Sequence, residues 1–175
     1  GAGRTGDGRG QGMSRAFVKE SDDAVDVGPV RPHSPHTNYV TPRGLQLLQQ
    51  KVQDLARARS AIIGRDDLAS VQRRRELERD LLYYNERLQR AVPVDPALQP
   101  LDKVHFGAAV TVEDAEGLQH EFILVGEDEA DAAQGRISWV SPLAKALINA
   151  RVGDVVSWRR PVGDMELEVL AIRRA

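Results

Sequence analysis

Between Leu45 and Val92, apolar residues recur at steps that alternate between three and four. Leu45, Leu48, Val52, Leu55 and Ile62 form one series, interrupted at Arg59; Leu77, Leu81, Tyr84, Leu88 and Ala91 form a second. Such a stripe is narrower than the face a helix turns to a globular core and matches the seam of a coiled coil. Between the two series lies Gly64-Arg65-Asp66-Asp67-Leu68-Ala69-Ser70. Gly accepts left-handed backbone angles and Asp bonds its own backbone in turns, so this stretch reads as a reversal. The spacing predicts an antiparallel coiled-coil hairpin over residues 39–95 with an exposed, charged tip.

The ends of the hairpin are legible in the same way. Thr41 suits an N-cap and Pro42 the first helical position, where no amide donor is needed. The first helix is expected from about Pro42 to Ile63, and the second from about Asp67 to Val92, where Pro93 and Pro96 stop it. Gly44, early in the first helix, costs about 1 kcal/mol in propensity against Ala and predicts close approach by another group. Residues 1–12 are Gly-rich and polar and precede Met13; they are set aside as a tag remnant or an over-extended start. Residues 1–38 as a whole are expected to be a disordered or docking arm, on account of Pro29, Pro32 and Pro35. His33 and His36 within it are read as loop residues rather than metal ligands.

Residues 96–101 are expected to be a linker, after which the apolar period changes from helical to two. Val104, Phe106, Ala108, Val110 and Val112 alternate with more polar or smaller residues, a strand signature. The turn residues Asp114 to Gly117 and a second strand, Gln119 to Val125, complete a hairpin. An acidic loop, Gly126 to Asp131, precedes a third strand, Arg136 to Val140. Ser141 and Pro142 then open a short helix, Leu143 to Ala150, and Val155 to Arg159 with Met165 to Arg173 make a final hairpin. The expected class is α+β, with residues 102–175 forming a small antiparallel β-sheet with one short helix.

Composition narrows the function classes. A net charge of -2 gives no chain-wide case for nucleic-acid binding. With no cysteine, disulfides and thiolate metal sites are excluded, which fits a cytoplasmic location. No run approaches the roughly 20 apolar residues of a membrane-spanning helix.

One stretch carries a family resemblance. Ser138-Trp139-Val140-Ser141-Pro142-Leu143-Ala144-Lys145-Ala146-Leu147-Ile148, followed by Gly153-Asp154, is similar to the C-terminal signature of the bacterial GreA/GreB transcript-cleavage factors. Phe106-Gly107-Ala108, the run from Val125 to Asp131, and Tyr39-Val40-Thr41-Pro42-Arg43-Gly44 also resemble equivalent stretches, so the likeness extends from about Tyr39 to the C-terminus. The resemblance implies a coiled-coil hairpin followed by an FKBP-like domain that grips RNA polymerase at the rim of its secondary channel. It implies that the tip enters the channel, where acidic residues help hold a second Mg²⁺ so that the polymerase cuts backtracked RNA. The factor itself would be no enzyme. It would bind no cofactor in isolation, sharing Mg²⁺ with the polymerase and touching nascent RNA only in that complex.

Carried onto this chain, the resemblance makes Asp66 and Asp67 the tip candidates, by position. Asp128, Glu129, Asp131, Ser141 and Pro142 become candidates for polymerase binding, and Arg65, Arg73 and Arg74 for contact with RNA or the channel wall. Gre tips carry an acidic pair spaced D-x-x-E within a G-D-x-x-E-N run, whereas this tip has adjacent Asp residues and no Glu three positions on. The hairpin is also expected to be shorter than in Gre proteins, by roughly a turn or two per helix. Two outcomes follow: cleavage stimulation, or occupation of the channel without it, and the tip leans toward the second. The other arginines of the second helix, Arg75, Arg79, Arg87 and Arg90, are read as a solvated face. A prolyl-isomerase activity of the FKBP kind is a weaker alternative, because no catalytic constellation is evident. A self-associating coiled coil is a third reading; an intramolecular hairpin predicts a monomer.

Overall fold

The computed structural model describes Arg31 to Ala175. The proposed tag remnant and most of the arm lie outside the described residues. The described residues divide into two compact units, one holding residues 31–33 with Val52–Asn85, the other Ser34–Lys51 with Glu86–Ala175. The division therefore passes through both long helices.

In the first unit the helices α1 (Pro42–Ile62) and α2 (Leu68–Gln89) reverse over residues 63–67. Leu55 and Leu77 are buried, Val52, Ile62, Leu81 and Tyr84 are half-buried, and Leu82, off the stripe, is exposed. Arg59, which breaks the apolar series, donates from Nε to Glu78 Oε2 at 2.8 Å, so a charged pair links the two helices at that position. Of the arm's described residues, Arg31 lies with its guanidinium carbon 3.7 Å from the Tyr83 ring centroid, and His33 stacks on the same ring at 5.9 Å. Tyr83 and Tyr84 meet edge to face. These two tyrosines are thus packing residues.

The second unit carries the base of both helices and all the strands among the described residues. A two-stranded parallel pair, β1 (Tyr39–Val40) with β2 (Val92–Pro93), joins the segment before α1 to the segment after α2. A 3₁₀ turn, Pro96–Leu98, occupies part of the expected linker and is capped by Asp95, which accepts from the Ala97 amide. The main sheet contains β3 (Ala108–Asp114), β4 (Gln119–Val125), β5 (Arg136–Ser138), β6 (Val155–Trp158) and β7 (Met165–Arg174), in the order β5-β4-β3-β7-β6. The short helix α3 (Pro142–Leu147) buries Leu143, Ala144 and Leu147 against Val110, Val112, Leu124, Leu167 and Val169. Alternate residues of β3, β4 and β7 supply this core, which is what a period of two provides.

Three expectations are corrected. The sheet is not wholly antiparallel: β5 runs parallel to β4, with Ile123 opposite Arg136. Two 3₁₀ turns, Glu127–Glu129 and Ala132–Gln134, carry the chain back to the edge of β4 in the same direction. The strand expected from Val104 begins at Ala108. Gly107 has φ +88°, which breaks the extended run, and Val104 instead exchanges backbone hydrogen bonds with Asn149 and Ala150 beyond α3. The second long helix ends at Gln89, short of Val92, which pairs in β2.

Candidate functional site

At the tip, the chain leaves α1 with Ile63 exposed, turns at Gly64 with φ +90°, and enters α2 at Leu68. Asp67 is the N-cap: its Oδ2 accepts from the Ser70 amide at 3.0 Å. Hydrogen bonds from the Ser70 hydroxyl and then its amide, with a smaller contribution from the Arg65 charge, hold the Asp67 carboxyl below the usual range. Asp66 is exposed and has no side-chain partner among the described residues. Leu68, next in line, is 72% exposed. Arg65 is exposed, whereas Arg73 pairs with Glu76 at 3.3 Å on its own helix and Arg74 is half-buried. The candidate tip residues Arg65, Asp66 and Asp67 therefore stand together, and one of the two acids is occupied in starting a helix.

In the second unit, the acidic loop turns inward at Glu129, while Asp128, Ala130 and Asp131 are exposed. Glu129 is 8% exposed: Oε1 accepts from the Thr41 hydroxyl at 2.6 Å and Oε2 from Arg43 at 2.9 Å. Thr41 also caps α1, its hydroxyl oxygen accepting from the Gly44 amide at 2.9 Å. A Cβ at Gly44 would lie 2.7 Å from Glu129 Oε1, so the close approach expected at this glycine is made by a carboxylate. A negative group at a helix N-terminus is favoured there by the exposed amides and the helix dipole.

Asp128, itself an exposed residue, is tied to a buried side chain. Arg87 donates from Nε to Asp128 Oδ2 at 2.7 Å and from Nη2 to Asn38 Oδ1 at 2.7 Å, with Glu127 Oε1 at 3.6 Å. Asn38 in turn donates to the Arg87 carbonyl at 2.7 Å. Arg87 is 1% exposed, which corrects its reading as part of a solvated face. A buried guanidinium requires paired acceptors, and Asp128 of the loop together with Asn38 supplies them.

Among the remaining candidates, Asp131 is exposed, its backbone bridged to Arg136. Ser141 caps α3, accepting from the Ala144 amide at 3.2 Å, and Pro142 takes the first helical position, exposed. Trp139 is half-buried between Tyr39 and His36, at centroid distances of 5.1 and 6.0 Å. Two residues that matter here, Arg87 and Asn38, were not singled out as a pair. One signal was available: Arg87 falls three residues after seam residue Tyr84, beside the stripe, while the loop from Glu127 to Glu129 holds three consecutive acids that need counter-charge.

Among the described residues no group of three His, Cys, Asp or Glu side chains is arranged to hold a metal ion, and no helix is long and apolar enough to cross a membrane. Comparison with known proteins agrees with the signature at Ser138 to Ile148. The family model for the C-terminal part of transcription elongation factor GreA/GreB matches residues 99–174. The transcription elongation factor GreB of Neisseria meningitidis serogroup A is 38% identical over 151 residues, covering 77% of this chain and 93% of that protein. The GreA of Pelobacter propionicus is 37% identical over 130 residues, covering 70% of this chain and 80% of that protein. Among solved structures, GreA factor homolog 1 of Thermus thermophilus is 26% identical with a TM-score of 0.37, covering 79% of this chain and 99% of that one. The chain belongs to the GreA/GreB family of transcription elongation factors.

Proposed function

We propose that this protein binds RNA polymerase at its secondary channel and regulates elongation by inserting the tip at residues 63–68, with little or no stimulation of RNA cleavage. In this reading the two long helices pair as an antiparallel coiled coil, the C-terminal part is the FKBP-like foot that grips the polymerase, and the protein is a cytoplasmic monomer. Asp128, Asp131, Ser141 and Pro142 lie at or near the surface of that foot, and the buried Glu129 supports it from within. The observation that carries the reading is Leu68, 72% exposed at the tip. Set on Gly64, the family's G-D-x-x-E-N run would place its Asp at Arg65 and its Glu at Leu68. A cation and an aliphatic side chain cannot supply the oxygen ligands that Mg²⁺ requires. The nearby Asp67 has one oxygen committed to Ser70.

Cleavage stimulation is the second reading, and Asp66 favours it: an exposed carboxylate at the tip can still offer one oxygen ligand. A second metal accelerates phosphodiester hydrolysis by stabilising both attacking and leaving oxygens, so a single well-placed ligand has an effect if it reaches the ion. Stalled, backtracked elongation complexes distinguish the two. Binding with unchanged RNA length supports occupation of the channel. RNA shortened on addition of the protein, and not on addition of Asp66→Ala, supports cleavage.

A further inference from the structure

A cleft of about 430 Å³ opens in the second unit, walled on its apolar side by Pro96, Ile123 and Val125 and bordered by Arg43, Arg136 and Arg174. Its size falls in the range of small-molecule sites, and its make-up, apolar walls with a few polar groups, is the usual one. The acids around it are already engaged. Glu129 accepts from Thr41 and Arg43, and Asp95 Oδ1 accepts from the Ala97 amide at 2.9 Å. The cations keep donors to spare. The Arg136 side chain has no hydrogen-bond or ion-pair partner among the described residues, although it is only half-exposed. Arg174 makes one bond of 3.3 Å, to the Gln99 carbonyl, and Arg43 spends one N–H on Glu129 while half of its side chain stays exposed. A guanidinium carries five N–H donors in a planar fork, so most of the donor capacity at this cleft is unused by the protein.

We infer that the cleft is a binding site for a small phosphorylated ligand with a flat apolar body, of the size of a mononucleotide. Arg136 and Arg174 take the phosphate oxygens, and Pro96, Ile123 and Val125 pack the body. Guanidinium pairs suit phosphate because two parallel N–H groups match two oxygens, and the neighbouring apolar wall lowers the competition from water. This site lies in the second unit and does not depend on what the tip does in the polymerase.

The test is a titration of the whole chain followed by the backbone amide signals of Gly107, Ile123 and Val125. The probes are ADP, inorganic pyrophosphate and adenosine. Saturable shifts with ADP are expected, at a concentration at least roughly tenfold lower than with either fragment alone. Arg136→Gln and, separately, Arg174→Gln are each expected to raise the ADP concentration needed by about tenfold or more, with an otherwise unchanged amide spectrum reporting the intact fold. Pyrophosphate binding as well as ADP would overturn the apolar half of the site. Unchanged ADP binding in both variants, or no saturable shift with ADP up to about 10 mM, would overturn the site itself.

Discussion

Glu129 occupies the space that a side chain at Gly44 would need, its Oε1 lying 2.7 Å from where a Cβ would stand. The same carboxylate takes the Thr41 hydroxyl and the Arg43 guanidinium, so the N-terminus of α1 and the acidic loop hold each other. Gly44→Ala, which by helix propensity alone would stabilise, is therefore expected to destabilise, by about 1 to 3 kcal/mol as for other overpacked sites. In a Glu129→Ala background the same substitution is expected to be neutral or stabilising. Chemical denaturation of the four variants gives the coupling, and an equal effect in both backgrounds would contradict the contact.

Thr41→Val keeps the volume and β-branching but removes both the cap and the donor to Glu129. A buried carboxylate oxygen left without its partner, together with a lost cap, is expected to cost about 2 to 4 kcal/mol. Thr41→Ser should recover most of that. Denaturation midpoints for the two variants check the expectation.

Arg87 stands at the centre of the other inward-facing group. Removing it leaves the buried Asn38 Oδ1 without its donor and takes the counter-charge from Asp128, whose side chain still reaches water, so Arg87→Ala is expected to destabilise by about 1 to 3 kcal/mol. Arg90→Ala, just past the end of the helix and exposed, should cost less than about 0.5 kcal/mol. Comparable losses from the two would return Arg87 to the solvated face.

Asp67 supplies a pH test at the tip. Its carboxyl is held below the usual range by Ser70, so its contribution to starting α2 is fully present above the ordinary Asp value of about 4 and fades as pH falls through its own lower value. The Ser70 amide signal should titrate with a midpoint below that ordinary value. Asp67→Asn, which still caps, should abolish the titration while α2 keeps its start. A midpoint at or above the ordinary value would mean that Asp67 is free of Ser70 and available for other work.

The seam residues show what periodicity can and cannot tell. Leu48, Leu55 and Leu77 are buried and Leu47, Leu68 and Leu82 are exposed, because a helix repeats every 3.6 residues and the stripe follows from that alone. Thr41, Pro42, Ser141 and Pro142 were legible for a local reason, since helix starts demand particular groups. The parallel edge strand β5 was not, because its three residues, Arg136 to Ser138, carry no sign of which neighbour they pair with or in which direction. The pairing of Arg87 with Asp128 spans 41 residues and is set by the fold, so a count of helix charges misplaced it. At the candidate site, the exposed placement of Asp66 followed from the turn chemistry, while the inward turn of Glu129 was visible only indirectly, through the unexplained glycine at position 44.

The tip can also be rebuilt. Arg65→Asp with Leu68→Glu restores the family's acidic spacing on the existing turn, and Asp67 still caps α2 from between them. The double variant is expected to shorten backtracked RNA in complexes where the unaltered protein does not. If it binds polymerase and remains inactive, the residues at positions 65 and 68 are not what limits cleavage.

The most direct measurement is RNA length in stalled, backtracked elongation complexes, made with polymerase binding recorded in the same samples. The account predicts that the unaltered protein binds and that the RNA keeps its length over the time in which the Arg65→Asp/Leu68→Glu variant shortens it. Rapid shortening by the unaltered protein, abolished by Asp66→Ala, would contradict it.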